Sequence, residues 1–136
     1  MPYAKTGTYI STKKTIGVGG FSTYRIDWYA DSSGNCIFDI LNFNCLIDRV
    51  VSFPTYGGGG GNHDLYLYDR FDCDVLQGLC VGLLDAPTNY EVKTIYKSIG
   101  TGLSVPVFTM QNHTFRITNA SASDAGALVI YFYEFK

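Results

Sequence analysis

Residues 21–30 read FSTYRIDWYA, with Tyr24, Ile26 and Trp28 alternating against Thr23, Arg25 and Asp27. A period of two is the mark of a half-buried strand, because successive side chains leave the backbone on opposite faces. The same pattern recurs along the chain, and it constrains the fold more than any other feature. CIFDILNF (36–43) and LIDRVVSF (46–53) are predicted as the next two strands, with Asn44 near the break between them. The turn cluster DSSGN precedes them, where Gly34 and Asn35 supply a positive φ at low cost. Pro54 is expected to end the second of these strands, since it has no N–H to donate to a ladder.

Further along, 65–68 alternates again, with Tyr66 and Tyr68 on one face. The stretch VLQGLCVGLL (75–84) reads either as irregular chain or as one or two helical turns, closed by Pro87. Gly78 and Gly82 weaken the helical reading by about 1 kcal/mol each. NYEVKTIY (89–96) is a strand, and VPVFTM (105–110) is predicted as an edge strand because Pro106 lies inside it. HTFRIT (113–118) and ALVIYFYEF (127–135) are expected to form a hairpin-like pair around NASASDAG. The last of these is almost continuously β-branched or aromatic, which predicts a central strand covered on both faces.

About eight or nine short strands at this spacing predict an all-β chain, an antiparallel β-sandwich or jelly-roll-like domain. The 136 residues suit one domain and carry no internal repeat. Residues 1–15 are expected to form an N-terminal arm that becomes ordered on another subunit, and 16–136 the sandwich; the alternative for the arm is an ordinary edge strand, TGTYIST. Charged residues make up only 16% of the chain, against a usual quarter, while aromatics reach 15%. So little charge on so aromatic a chain points to a surface partly covered by neighbours. A net charge of −2 gives no footprint for nucleic acid or an anionic membrane, and no apolar run approaches the length of a membrane span. The N-terminus MPYAKTGTYISTKK has no apolar signal segment. Cys36, Cys45, Cys73 and Cys80 lack CxxC spacing, so they are read as reduced and mostly buried thiols.

Residues 54–64 read PTYGGGGGNHD. A phosphate-binding loop requires a Lys and a Ser or Thr after its last glycine, and a helix N-terminus facing the phosphate. Here Asn62, His63 and Asp64 follow, and then a strand. The flanking segments are too short to be separate cores, so the run is expected to be an exposed connection between strands. Asp64, Asp69, Asp72 and Asp74 crowd the next segment, DLYLYDRFDCD. Their spacing does not fit a calcium-binding loop and Arg70 lies among them, so they are expected to bond local backbone N–H groups. His63 and His113 are candidate general bases, but no Ser or Cys lies in a nucleophile-elbow context. Neither catalytic residues nor cofactors are assigned, and the chain is not expected to be an enzyme. SASDAG matches the turn before the last strands of immunoglobulin domains, yet Leu128 and Ile130 stand where a Tyr and a Cys are required.

The order of landmarks carries a resemblance. DWYADSSGN is followed by LIDRVVSFP, a glycine-rich loop, DLYLYD, DVLQG and two C-terminal strands. Over roughly residues 20 to 135 this resembles small all-β virion proteins encoded among the head genes of tailed bacteriophages. The resemblance implies a decoration (cement) protein on the capsid exterior, assembled in the host cytoplasm, or a component of the head–tail or fibre base. It implies the major capsid protein as partner and self-association, as a homotrimer, and it brings no catalytic residues. The residues expected to make contacts are Lys5, Lys13 and Lys14 of the arm, Tyr56, the run Gly57, Gly58, Gly59, Gly60 and Gly61, and then Asn62 and His63. The alternative is a receptor- or carbohydrate-binding sandwich of a phage tail or fibre, using exposed Tyr or Trp28. A metal-assisted enzyme built on the Asp cluster is the third possibility weighed.

Overall fold

The computed structural model describes residues 4–15, 21–40, 43–56, 62–84, 91–94, 96–100, 103–122 and 124–134. Within them the alternation becomes two facing antiparallel sheets. Eight of the strands are β2 (Phe21–Tyr29), β3 (Cys36–Ile40), β4 (Cys45–Tyr56), β5 (Asn62–Tyr68), β6 (Leu83–Leu84), β9 (Leu103–Thr109), β10 (His113–Thr118) and β11 (Ala125–Glu134). They pair in nested fashion: β2 with β11, β3 with β10, β4 with β9, and β5 with β6. Nested pairing is what results when one long hairpin is rolled into two layers, so the chain is a jelly-roll sandwich. The remaining strands extend the larger sheet. β1 (Thr8–Thr15) lies beside β2, β7 (Glu91–Thr94) pairs with β4, and β8 (Tyr96–Gly100) pairs with β9. The larger sheet runs β1-β2-β11-β4-β9-β8 and the smaller one β3-β10-β5-β6.

The core fills the space between the sheets with the inward half of each alternation. Ile26 and Trp28 of β2, Ile47 of β4, and Leu128, Ile130 and Phe132 of β11 come from the larger sheet. Phe38, Leu65, Leu67, Phe115 and Ile117 meet them from the smaller one. Each such side chain contributes about 1.5–3 kcal/mol by leaving water. Trp28 faces Gly126 across the β2–β11 ladder, where a Cβ would lie 2.6 Å from the indole Cζ2. The glycine makes room for the largest core side chain.

Several expectations change with the tertiary structure. Pro54 does not end its strand: β4 continues to Tyr56, and Pro54 faces Gly126 next to a register shift that leaves Thr55 unpaired. A bulge is one of the few places a sheet accepts proline. β9 is not an edge strand, since it pairs with both β4 and β8. Pro106 is tolerated because the β4 ladder reaches only Val107. β10 and β11 do not form a hairpin; they belong to different sheets, and residues 119–124 cross between them. Residues 75–82 form no helix. They fold as successive turns, with Gln77 N–H bonded to Asp74 C=O (3.0 Å) and Leu79 N–H to Leu76 C=O (3.0 Å).

Residues 8–15, expected in the N-terminal arm, are the outer strand of the larger sheet, and Thr6 just before it pairs with the smaller one. Thr6 exchanges backbone hydrogen bonds with Ile37 (3.2 and 2.9 Å), which covers the free edge of β3. The crossing is tight. Gly7 has φ +71°, and a Cβ there would meet the Tyr29 carbonyl oxygen at 2.6 Å. Tyr9 then stacks on Phe38 of the opposite sheet, with ring centroids 3.6 Å apart.

Candidate functional site

The rolled topology gathers the connections at two ends. At the first, the turns 30–35 and 119–124 meet, with Ala30 N–H bonded to Asp124 C=O (2.8 Å) and Ala120 N–H to Gly34 C=O (3.3 Å). The turn 30–35 is organised by Asp31. Its carboxyl accepts from the Thr6 hydroxyl and from the Ser33 (2.8 Å) and Asn35 (3.0 Å) amides. The Thr6 hydroxyl and these amides hold that carboxyl below the usual carboxylate range. β4 ends and β5 begins at this end. The run Gly57–Gly61 between them lies outside the described residues, as do the side chains of Tyr56, Lys13 and Lys14.

Of the other residues predicted to make contacts, Asn62 is exposed at the start of β5, but His63 is not available. His63 is 1% exposed, because β5 turns it inward, where its ring lies 5.0 Å from that of Trp28. Trp28 is itself buried, which removes it as a sugar-stacking side chain. Lys5 forms an ion pair with Asp39 of β3 (2.8 Å) within the same chain, and this raises its pKa. Within the predicted contact set, His63 is therefore a core side chain and Lys5 is paired within its own chain.

The Asp cluster does what its spacing predicts, bonding backbone amides. Asp69 Oδ1 accepts from Phe71 and Cys73 N–H (2.8 and 3.1 Å). Asp74 accepts from Leu67 (3.1 Å), Leu76 (3.1 Å) and Gly78 (2.9 Å). Asp64 accepts from Gly82 N–H (2.9 Å) and from the Asn119 side chain (2.6 Å). Together with Val75 N–H to Leu67 C=O and Leu65 N–H to Cys80 C=O, these bonds strap 74–82 along the outer edge of β5. The strap carries two exposed aliphatic side chains, Leu79 (37%) and Val81 (49%). They are flanked by Gly78 and Gly82, around which there is open space. β6 follows directly and pairs with Asn62 and His63, so this ridge adjoins the start of β5.

The second end holds a cleft of about 340 Å³ that no sequence motif signals. Asp69, Arg70 and Phe71 form one wall, and Thr109, Met110 and Gln111 the other. The walls are joined by Arg70 Nη1–H to Gln111 Oε1 (2.7 Å). The 109–112 turn is fixed from below. Gln111 N–H donates to Asn44 Oδ1 (2.9 Å), and Gln111 C=O accepts from Phe43 N–H (2.9 Å). His113 is 2% exposed beneath the turn. Its Nδ1–H donates to Gln111 C=O (3.0 Å), so Nε2 is the acceptor for the Thr109 hydroxyl (2.5 Å). Burial lowers the His113 pKa, partly offset by the Gln111 carbonyl and by Asp69. Cys36, Cys45 and Cys80 are buried and Cys73 is exposed, none of them in a disulfide; burial pushes the Cys36 thiol up to about 11.

No protein-family model and no curated protein matches the chain. Among solved structures it is similar to a protein of Bacillus endospore appendages, described as a novel family of disulfide-linked pili. That similarity is 16% identity over 96% of this chain and 93% of the other, with a TM-score of 0.32. It is similar also to CBM35 from Paenibacillus barcinonensis, at 14% identity over 93% and 90%, with a TM-score of 0.30. Likenesses this distant assign neither a fold nor a function, so the jelly roll rests on its own strand pairing.

Proposed function

We propose that the chain is a virion structural protein of tailed bacteriophages: a capsid decoration subunit that binds the major capsid protein, stabilises the head and associates as a homotrimer. The observation that carries the reading is the ridge at 78–82. Leu79 and Val81 stand in water on a strap tied down by two aspartates, and glycine backbone on either side is open to close approach. Rigid exposed aliphatic side chains beside accessible backbone suit a surface that a neighbouring subunit covers. The ridge adjoins Asn62 at the start of β5, and Asn62 is part of the same docking region. The order of sequence landmarks and the low charge support the same role, while the jelly roll by itself hosts many functions.

Gold-labelled antibody against this chain, applied to purified particles, tests the location. Label spread over the head supports decoration, and label confined to neck or tail overturns it. Sedimentation of the purified protein tests the trimer, which a monomer at all concentrations refutes. Leu79→Asp with Val81→Asp is expected to abolish attachment to heads without lowering the unfolding midpoint; unaltered attachment would remove the ridge from the interface.

A further inference from the structure

We infer that the cleft between 69–71 and 109–111 is a binding site for a neutral sugar ring of a polysaccharide. It lies at the opposite end of the sandwich from the docking ridge's junction with Asn62, and the inference does not depend on the decoration role. Phe71 is 70% exposed, the most exposed large hydrophobic side chain among the described residues. It is not slack: its N–H is held by Asp69, and the Arg70 guanidinium lies 4.6 Å from its ring centroid. An aromatic ring fixed in water at the mouth of a cleft is a platform for another flat apolar surface, such as the C–H face of a pyranose. Met110, 49% exposed, adds apolar surface on the facing wall.

The polar groups around that platform match hydroxyls. One Arg70 nitrogen is engaged by Gln111 Oε1, and its other N–H groups have no hydrogen-bond partner among the described residues. Asp69 uses Oδ1 for the backbone, and among the described residues its Oδ2 and the Gln111 side-chain N–H groups have no hydrogen-bond partner. Donors and an acceptor side by side suit sugar hydroxyls, each of which both donates and accepts. Asp69 beside Arg70 leaves no net charge in the cleft, which favours a neutral ligand over an anionic one. The site is also pre-formed. Asp72 and Gln111 hold positive φ (63° and 71°), and Asn44, Phe43 and His113 fix the facing turn. Pre-organisation of this kind lowers the ordering cost of binding.

The experiment is affinity electrophoresis of the full chain through gels containing soluble neutral polysaccharides (glucan, mannan, galactan) or an acidic one (polygalacturonate). Retardation by at least one neutral polymer is expected, at least tenfold weaker in Phe71→Ala and retained in Phe71→Tyr. Arg70→Met is expected to weaken it similarly. These positions are on the surface, and unchanged unfolding midpoints would show that the variants fold. No retardation by any neutral polymer overturns the inference. So does retardation only by polygalacturonate, or retardation that Phe71→Ala leaves intact. Attachment to phage heads is scored separately with the same variants and is expected to be unaffected, so the two readings fail independently.

Discussion

Replacing Gly34 by alanine or asparagine tests how closely the turns 30–35 and 119–124 approach each other. In sequence Gly34 is the positive-φ residue of a turn, and the structure places it at φ +79°. On that reason alone, Gly34→Ala costs roughly 1–2 kcal/mol of left-handed strain, and Gly34→Asn much less, because Asn tolerates that region. The structure adds a second constraint. A Cβ at Gly34 would lie 1.8 Å from the Ala120 carbonyl oxygen and 2.7 Å from its carbon. No rotamer relieves a backbone overlap, so the turns 30–35 and 119–124 must separate. Separation breaks the Ala120 N–H to Gly34 C=O bond, for about 1 kcal/mol more. The expected loss for Gly34→Ala is therefore about 3 kcal/mol, or roughly 10 °C in Tm for a domain of this size. Gly34→Asn carries the same Cβ and should still lose about 1 kcal/mol or more through the broken bond, although its φ strain is small. Urea unfolding followed by Trp28 fluorescence measures both, with the m-value expected to be unchanged. An Asn variant within about 0.5 kcal/mol of the natural protein would refute the close approach and leave only the turn conformation.

Asp74→Ala leaves three backbone amides without their acceptor and is expected to cost about 2–3 kcal/mol in urea unfolding, with early loss of hydrogen-exchange protection at Leu65 and Leu67. His113 is buried with its pKa below the usual 6.5, so between that value and its lower folded one the unfolded chain binds more protons. Stability should thus fall as the pH drops below 6.5, and His113→Gln should flatten that part of the pH profile. Cys73 is exposed, whereas the other three thiols are buried and Cys36 is raised to about 11. A thiol reagent at pH 8 should therefore modify one cysteine quickly and the rest only on unfolding. Because the folded chain keeps the Cys36 proton above the ordinary thiol range, stability should also fall as the pH rises from about 9 towards 11.

The period-two alternation in 21–30 was enough to define that strand and its buried side, and 46–53 and 113–118 were legible as strands, because burial of one face is a local property of the pleat. Ile26 and Trp28 were placed on one face of their strand by sequence and are buried. The roles of Asp69 and Asp74 were also legible, since a short carboxylate bonds amides two to four residues away whatever the rest of the chain does. Partnership between strands was not legible. β10 and β11 are neighbours in sequence and lie in different sheets, since pairing is decided by which ladders close around a common core. For the same reason the segment from Thr8 looked like an arm and is an edge strand, and Pro54 and Pro106 sit inside strands where a bulge or the end of a ladder frees their position.

The candidate site shows the division most plainly. His63 stood out beside the glycine run, but a single step of register turns it into the core. Phe71 and Gln111 carried no signal, because 40 residues separate them and only the rolled topology brings their turns together. The sequence by itself determined that the chain is an all-β sandwich, that Ile26 and Trp28 share one face of their strand and how its acidic turn is tied. The tertiary structure alone decided which strands meet, where a glycine has no substitute and where the surface offers a cleft. These depend on contacts between distant segments, and local chemistry does not encode them.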